Sequence, residues 1–428
     1  MRETSATRRG VLAAAGGALL AGCSGLDEFG ESSDEEIRSS RLPDLTDDGE
    51  SQPVVVETMP IEIERTVLAE RVQRTTDLLA TLPMSFGADD VPNGYVRKQL
   101  IEAAEDASEY IQDARTAQSR LTAMRSLQRA RSEARFAAAG WGFVEDGTTE
   151  TARQSEHEAV IEDANALRSD HAYLGEDPVE AVLFHAEVEQ HLAFVAENRY
   201  PSGSVNTDEL LTVAEWGEHT EYARARVDDG RYLYDRFRES LPADAGSIEE
   251  TLTTAGESLV DELQRRRSDL PAEPTEGDHE LVWRLRYRVR DAAESSARYA
   301  GDEPGAASTV LRGAEGLADF LAYERIRDRI DDGEQFGVEE AADVHDARDQ
   351  AVESVRTALD ESPRAGLARP VLADAAQQIV AADEELARLR GTVRPARLDD
   401  PIRRYVTATA RARSVPAACQ EVLDTLTQ

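Results

Sequence analysis

From Ile61 onward the chain consists mostly of Ala, Leu, Glu, Arg and Asp. It is cut by breaks at Pro83–Gly94, Glu145–Thr149, Gly175–Pro178, Pro201–Asn206, Pro242–Ser247, Pro271–Asp278, Gly301–Pro304, Asp331–Gly337, Glu361–Gly366 and Gly391–Pro401. Apart from Asp these are strong helix formers, and proline- and glycine-bearing punctuation between such segments predicts a succession of helices. Polarity alternates with the period of two that marks a half-buried strand at Trp283–Arg290, but Leu281, Val282, Leu285, Val289, Ala292 and Ala293 there share a helical face, so this too is read as helix. Val54-Val55-Val56 is the one β-like run, too short to found a sheet. Segments of roughly two dozen residues with short connections pack as antiparallel neighbours. The expectation is an all-α protein: antiparallel helical hairpins forming a multi-helix bundle or short α-solenoid, with about ten to twelve helices. Without a glycine-rich loop after a strand, doubly wound nucleotide folds and two-lobed α/β binding proteins are excluded.

Local chemistry marks some of the starts. Asp177 before Pro178 supplies an N-cap and a first-turn proline. Ser247-Ile-Glu-Glu250 reads as a capping box. Residues 54–428 are too many for one compact core, so Pro242–Ser247 divides an N-terminal helical lobe (54–241) from a C-terminal one (242–428).

Acidic residues number 85 against 48 basic ones, a net charge of −37, and Lys98 is the only lysine. Self-repulsion at this level favours expansion, which salt relieves: the Debye length falls to about 3 Å at 1 M. A composition 40% apolar, with helical periodicity, argues for a folded core rather than disorder. The acidic, serine-rich stretch after Cys23 lacks that periodicity, so 23–53 is read as a disordered tether.

The first residues have a different design. Arg8-Arg9 lead into a short apolar run that ends in Leu20-Ala21-Gly22-Cys23. A basic start, an apolar centre and small residues before a cut site make a secretory signal. Ala13–Gly22 is about half the roughly 20 residues a crossing helix needs. The paired arginines resemble the twin-arginine export signal, and Leu-Ala-Gly-Cys resembles the lipobox of exported lipoproteins. The resemblance implies removal of 1–22 as a signal peptide, lipid on the Cys23 thiol, and a mature protein anchored at the extracellular face of the cell membrane. Cleavage would leave 84 acidic and 45 basic residues, a net −39. This acidity with almost no lysine resembles proteins of halophilic archaea.

With Cys23 acylated, Cys419 has no partner in the chain. It shares a helical face with Val415, Val422 and Leu426 and is read as a core residue, so neither a disulfide framework nor a cysteine metal site is predicted.

Two groups of residues are candidate sites. The helix 179–198 is apolar nearly all round: Ala181, Phe184, Val188, Leu192 and Val195 form one stripe, Val179, Val182, Ala186 and Ala193 a second, and Leu183 and Phe194 a third patch. Such a helix is enclosed by neighbours. Between the stripes His185 and Glu189, and Glu187 and His191, stand at i, i+4, as do Glu215 and His219 further on. This spacing lets imidazole and carboxylate share a metal or a proton, making His185, Glu189, His191 and His219 possible metal ligands. Hydrogen-bonded pairs on a crowded helix are the favoured reading. The His-Ala-Glu string resembles that of imelysin-like exported helical proteins, but here Glu falls two and four residues after His185, so no role is carried over.

The second group is a basic island. Arg265, Arg266 and Arg267 end one helix, while Arg284, Arg286 and Arg288 open the next beside Trp283 and Tyr287. A hairpin turn would gather both groups at one end, where arginine forks and aromatic stacking suit a lipid headgroup or an acidic glycan. Ion pairing within the protein is the favoured reading. Nucleic acid is disfavoured because phosphate contacts weaken steeply with salt. No hydrolase motif of the Gly-x-Ser-x-Gly or His-Glu-x-x-His type occurs, and no catalytic residue or cofactor is assigned. The chain reads as a cell-surface lipoprotein, a non-enzymatic helical binding or scaffolding module for a surface protein, lipid or glycan. The alternative is an exported helical enzyme or metal-binding protein centred on His185–His191.

Overall fold

A computed structural model describes residues 36–43, 55–56, 58–83, 86–201, 208–272 and 281–428. Among them twelve α-helices carry the fold: α1 (Arg65–Leu79), α2 (Gly94–Thr116), α3 (Arg120–Asp146), α4 (Glu150–Asp170), α5 (Pro178–Glu197), α6 (Glu209–Ser240), α7 (Glu249–Ser268), α8 (Leu281–Tyr299), α9 (Ala306–Asp331), α10 (Ala341–Glu361), α11 (Ala365–Ala387) and α12 (Asp399–Leu426). The protein is all-α. Its one sheet among the described residues is a two-stranded antiparallel ladder of β1 (Ile37–Arg38) and β2 (Thr392–Val393).

Helix boundaries follow the punctuation with two differences. Ala117–Ser119 separates α2 from α3 without glycine or proline; Ser119 ends the run by accepting the Thr122 N–H at 3.0 Å. The capping box expected at Ser247 does not form as drawn. Ile248 is the residue before α7, and Ser247 accepts only the Glu249 N–H at 3.3 Å. The cause is a competing partner: Ile248 donates its N–H to the Tyr173 carbonyl at 2.9 Å, and Ser247 bridges Leu174, drawing this segment out as extended chain. Asp177 caps α5 as its sequence implies, accepting from Val179 and Glu180 with Pro178 in the first turn.

In the first half α3 lies against α1, α2 and α6, and in the second α12 lies against α7 to α11. Helix α5 joins them, and its two stripes enter different cores. Phe184, Val188, Leu192 and Val195 pack with Ile63, Leu121 and Val227 of the N-terminal half. Val179, Val182 and Ala186 pack with Leu252, Val310 and Leu367 of the C-terminal half. Cys419 is fully buried in that second core, where burial pushes its thiol up to about 12.

The leading segment corrects the tether reading of 23–53 for residues 36–43, the part of it that is described. Residues 36–43 are folded: Ile37 and Leu42 are buried in the C-terminal core, β1 satisfies its backbone on β2, and His345 bonds the Arg41 carbonyl at 3.0 Å. The two apolar side chains find a core that the acidic composition around them concealed. Beyond, Val55 packs on the C-terminal core, whereas Met59, Ile61 and Ile63 pack on the N-terminal one. The segment therefore runs across both halves.

Charges are buried between helices as well. Glu221 of α6 is fully buried and accepts from Arg74, Arg131 and Arg224 at 3.0, 2.9 and 3.1 Å. Burial raises its carboxyl, but the arginines overcome this and hold it down at about 2. Asp383 accepts in the same way from Arg348 and from the Tyr405 hydroxyl.

Candidate functional site

Four helices of the N-terminal half enclose a cavity of about 460 Å³, within the range of small-ligand sites. Helix α6 supplies Glu215, Glu218, His219 and Tyr222, a spacing of i, i+3, i+4, i+7 that puts them on one face. Tyr95 of α2, Phe136 of α3 and Phe194 of α5 complete aromatic walls around these carboxylates. Gly217 lets α6 approach: a Cβ there would collide with the Ala139 methyl of α3. The next residue, Glu218, is consequently pressed toward Ser132 and Glu133.

This placement perturbs the acids. Burial, and then the neighbouring carboxylates of Glu133 and Glu215, push the Glu218 carboxyl up to about 7, against a hydrogen bond from Ser132. Glu133 is raised by burial and by Asp106. His219 is lowered by burial, although its Nε2 donates to the Asn198 carbonyl at 2.6 Å. Behind it His157, only 2% exposed, stands 4.7 Å from the His219 ring and 5.7 Å from Trp216. Burial and then His219 drive it down to about 4. Among the described residues no arginine or lysine lines the cavity. Carboxylates among aromatic faces attract a cation, and a carboxyl that titrates near neutrality can exchange a proton with it.

The i, i+4 pairs met different fates. Glu215 and His219 do share this cavity. His185 and Glu189 do not pair, which corrects the expectation for them. Glu189 accepts the backbone N–H groups of Ala307 and Ser308 at the start of α9, at 3.1 and 2.7 Å, and the Tyr173 hydroxyl at 2.6 Å. Those N–H groups and the positive end of α9 outcompete an imidazole. His185 bonds the Leu174 carbonyl through Nε2 and His171 through Nδ1, both at 2.9 Å. Burial lowers both histidines to about 4, His171 also through its neighbour His185. His191 stands 3.4 Å from Glu187, whose other oxygen is bound by Arg125 at 2.6 Å. Burial would raise the Glu187 carboxyl, but His191 and Arg125 hold it well below the usual range. His185, Glu189, His191 and His219 thus face four different partners. Among the described residues no three His, Cys, Asp or Glu side chains gather as metal ligands.

The basic island is divided. Arg265 pairs with Glu262, Arg266 with Glu262 and with Glu421 at 3.1 Å, and Arg267 with Glu294 at 3.7 Å. Arg284 pairs instead with Asp399, and Arg286 with Asp331 at 3.7 Å; Arg288 is exposed. Asp399 and Glu421 lie at opposite ends of α12, about 30 Å apart along its axis. The arginines therefore do not converge on one ligand, because each cluster meets carboxylates of a different helix end. Trp283 and Tyr287 stack on each other, 5.4 Å apart and 14° from parallel, half-buried.

Arg8, Arg9 and Cys23, which carry the export and lipid-anchor reading, lie outside the described residues. Among those that are described, no helix is long and apolar enough to cross a membrane. Sequence reasoning missed Glu218, Glu133 and His157. The i+3 step from Glu215 to Glu218 was available as a signal, but the burial that gives it meaning comes from the glycine contact between α3 and α6.

Residues 66–244 match a family described as a domain of unknown function (DUF8262), and residues 249–424 match a second, DUF8264. The two matches meet in the loop between α6 and α7. No curated protein and no solved structure matches the chain.

Proposed function

We propose that the protein is a membrane-tethered binding module whose ligand is a small organic cation, a protonated amine or quaternary ammonium, held in the cavity of α2, α3, α5 and α6. One observation carries this reading: Glu215 and Glu218 stand in a ligand-sized cavity walled by Tyr95, Phe136, Phe194 and Tyr222 and, among the described residues, lined by no arginine or lysine. Aromatic faces and carboxylates together suit an alkylammonium group better than a hard cation such as Ca²⁺ or Mg²⁺, which prefers oxygen ligands alone. Glu218 gives the site a proton to release, since a bound cation favours its ionised form. The twin-arginine and lipobox residues support a place at the outer face of the cell membrane, where the module would present this cavity to solutes or to a partner's basic group.

Calorimetric titration with tetramethylammonium and butylammonium, beside neutral tert-butanol, tests the ligand class. The cations should saturate one site and release a fraction of a proton at pH 7, visible as a dependence of the heat on the buffer. Glu218→Gln should weaken binding at least tenfold and abolish the proton release. If the alcohol binds as well as the cations, or Glu218→Gln binds them as wild type does, this reading fails.

A further inference from the structure

A second cavity, of about 320 Å³, lies where the two matched regions meet, with His191 and Arg226 on one wall and Leu311 and Glu315 of α9 on the other. Its hydrogen-bonding groups do not balance. His191 is 2% exposed; its Nε2 lies 3.4 Å from Glu187, and its Nδ1 has no acceptor among the described residues. The nearby Glu187 is already engaged by Arg125, at 2.6 Å through one oxygen and 3.3 Å through the other. Arg226 has a buried Nε without an acceptor. Its terminal nitrogens reach only neutral oxygens, the Gln190 carbonyl at 3.4 Å and the Tyr222 hydroxyl at 3.3 Å, while its plane lies over Phe194 at 4.6 Å.

In a chain with 37 excess negative charges, arginines commonly find carboxylates, as Arg74, Arg131 and Arg348 do. A guanidinium held by stacking and turned to a cavity with its Nε free is prepared for an acceptor from outside. A third donor adjoins. Arg312, on the wall of the neighbouring cavity that shares Glu315, is held by Glu315 at 2.7 Å through Nη1 and stands 3.6 Å from Glu303 through Nε.

We infer that this cavity between the halves binds a small oxyanion, a carboxylate or phosphate group, through the Nε of Arg226 and the ring of His191. The charge on each side fits a single anionic group. Glu187 is bound by Arg125, and Glu315 shares Arg312 with Glu303, whereas Arg226 meets no carboxylate among the described residues. Because both halves wall the site, a bound oxyanion also joins them, and its affinity appears as added stability of the whole fold.

The test titrates the purified full chain, in molar potassium chloride, with inorganic phosphate and separately with acetate. Heat and the thermal midpoint are followed; the two arms distinguish a tetrahedral from a planar oxyanion. At least one should saturate a single site and raise the midpoint. Arg226→Gln should weaken it tenfold or more, while Arg129→Gln, whose arginine stacks on Tyr110 and does not line the cavity, should leave it unchanged. Glu315→Gln should tighten binding several-fold, because it removes a negative charge from the cavity wall. A merely structural role for these residues would not give opposite signs. If Arg226→Gln loses its helical circular dichroism, Leu311→Trp takes its place: it fills the cavity without removing a donor and should block binding. The inference is overturned if neither anion saturates, if Arg226→Gln or the Leu311→Trp substitute binds as wild type does, or if Glu315→Gln fails to tighten. No amine enters this experiment and Glu218 is untouched, so its outcome is separate from that of the cation reading.

Discussion

Glu189 of α5 holds the backbone N–H of Ser308 at 2.7 Å, so a side chain from one half of the molecule caps the first turn of α9 in the other. Both oxygens are used, with Ala307 and Tyr173 on the second. Gly305 makes room for it: a Cβ there would collide with the Glu189 carboxyl.

Removing this cap should be costly. Glu189→Ala leaves two buried N–H groups and a hydroxyl without an acceptor, and should destabilise the fold by about 2–4 kcal/mol. Gly305→Ala should cost a comparable amount by displacing the same carboxylate. Denaturant unfolding of each single variant and of the pair checks this; strict additivity would show that the two do not act on one contact.

Acid should weaken the protein through its histidines. His157, His171 and His185 have native values near 4, below the ordinary 6.5 of an unfolded chain. Their neutral forms stabilise the fold fully above about pH 6.5, and that contribution is lost as pH falls toward 4. His157→Phe should keep the ring packing and take about one proton, about 1.4 kcal/mol per pH unit, off the slope in that window. Unfolding curves at half-unit steps of pH would show it.

Glu218 should act with the opposite sign. Its native carboxyl titrates near 7 rather than 4.5, so the native state holds the extra proton in that interval. Stability therefore declines as pH rises from about 4.5 to 7, and the cost is complete above it. Glu218→Gln should stabilise the protein at pH 8 by about 1–3 kcal/mol and leave it unchanged at pH 4. Equal effects at both values would remove the burial argument for this residue.

Low salt should loosen the fold. At tens of millimolar ionic strength the net −37 is no longer screened over molecular distances. The thermal midpoint should fall steeply between molar and 50 mM salt, with the buried Glu221 cluster among the last structure to be lost. A midpoint independent of salt would show that the surface charge is locally compensated.

The anchor is checked in the cell. Cys23→Ser should abolish lipid attachment, and Arg8→Lys with Arg9→Lys should block export. A Cys23→Ser protein that stays on the membrane at its normal mature size would overturn the lipobox reading.

Much of this architecture was legible in the residues, because helix breaks that use glycine and proline are local. The two stripes of α5 likewise announced an enclosed helix, and they turned out to feed two cores. The break at Ala117–Ser119 was not legible, since it rests on one serine cap and no backbone breaker. Nor was the partner of Glu189. Its acceptor role depends on N–H groups more than a hundred positions away, whereas the imidazole four residues off looked closer at hand. Periodicity says which face a carboxylate occupies, but its burial depends on how near the next helix comes, as Gly217 and Ala139 show for Glu218.

The pairing of Ile37 with Val393 sets which way round such a protein would stand. If Cys23 carries lipid, the thirteen steps from it to residue 36 reach at most about 45 Å. The first fixed point after them is on the C-terminal half, beside β2 and His345. That half would then be the one tied closest to the membrane. A pull between the cavity end and residue 36 would load the contacts of α5 with both cores, the Glu189 cap among them, together with the short ladder.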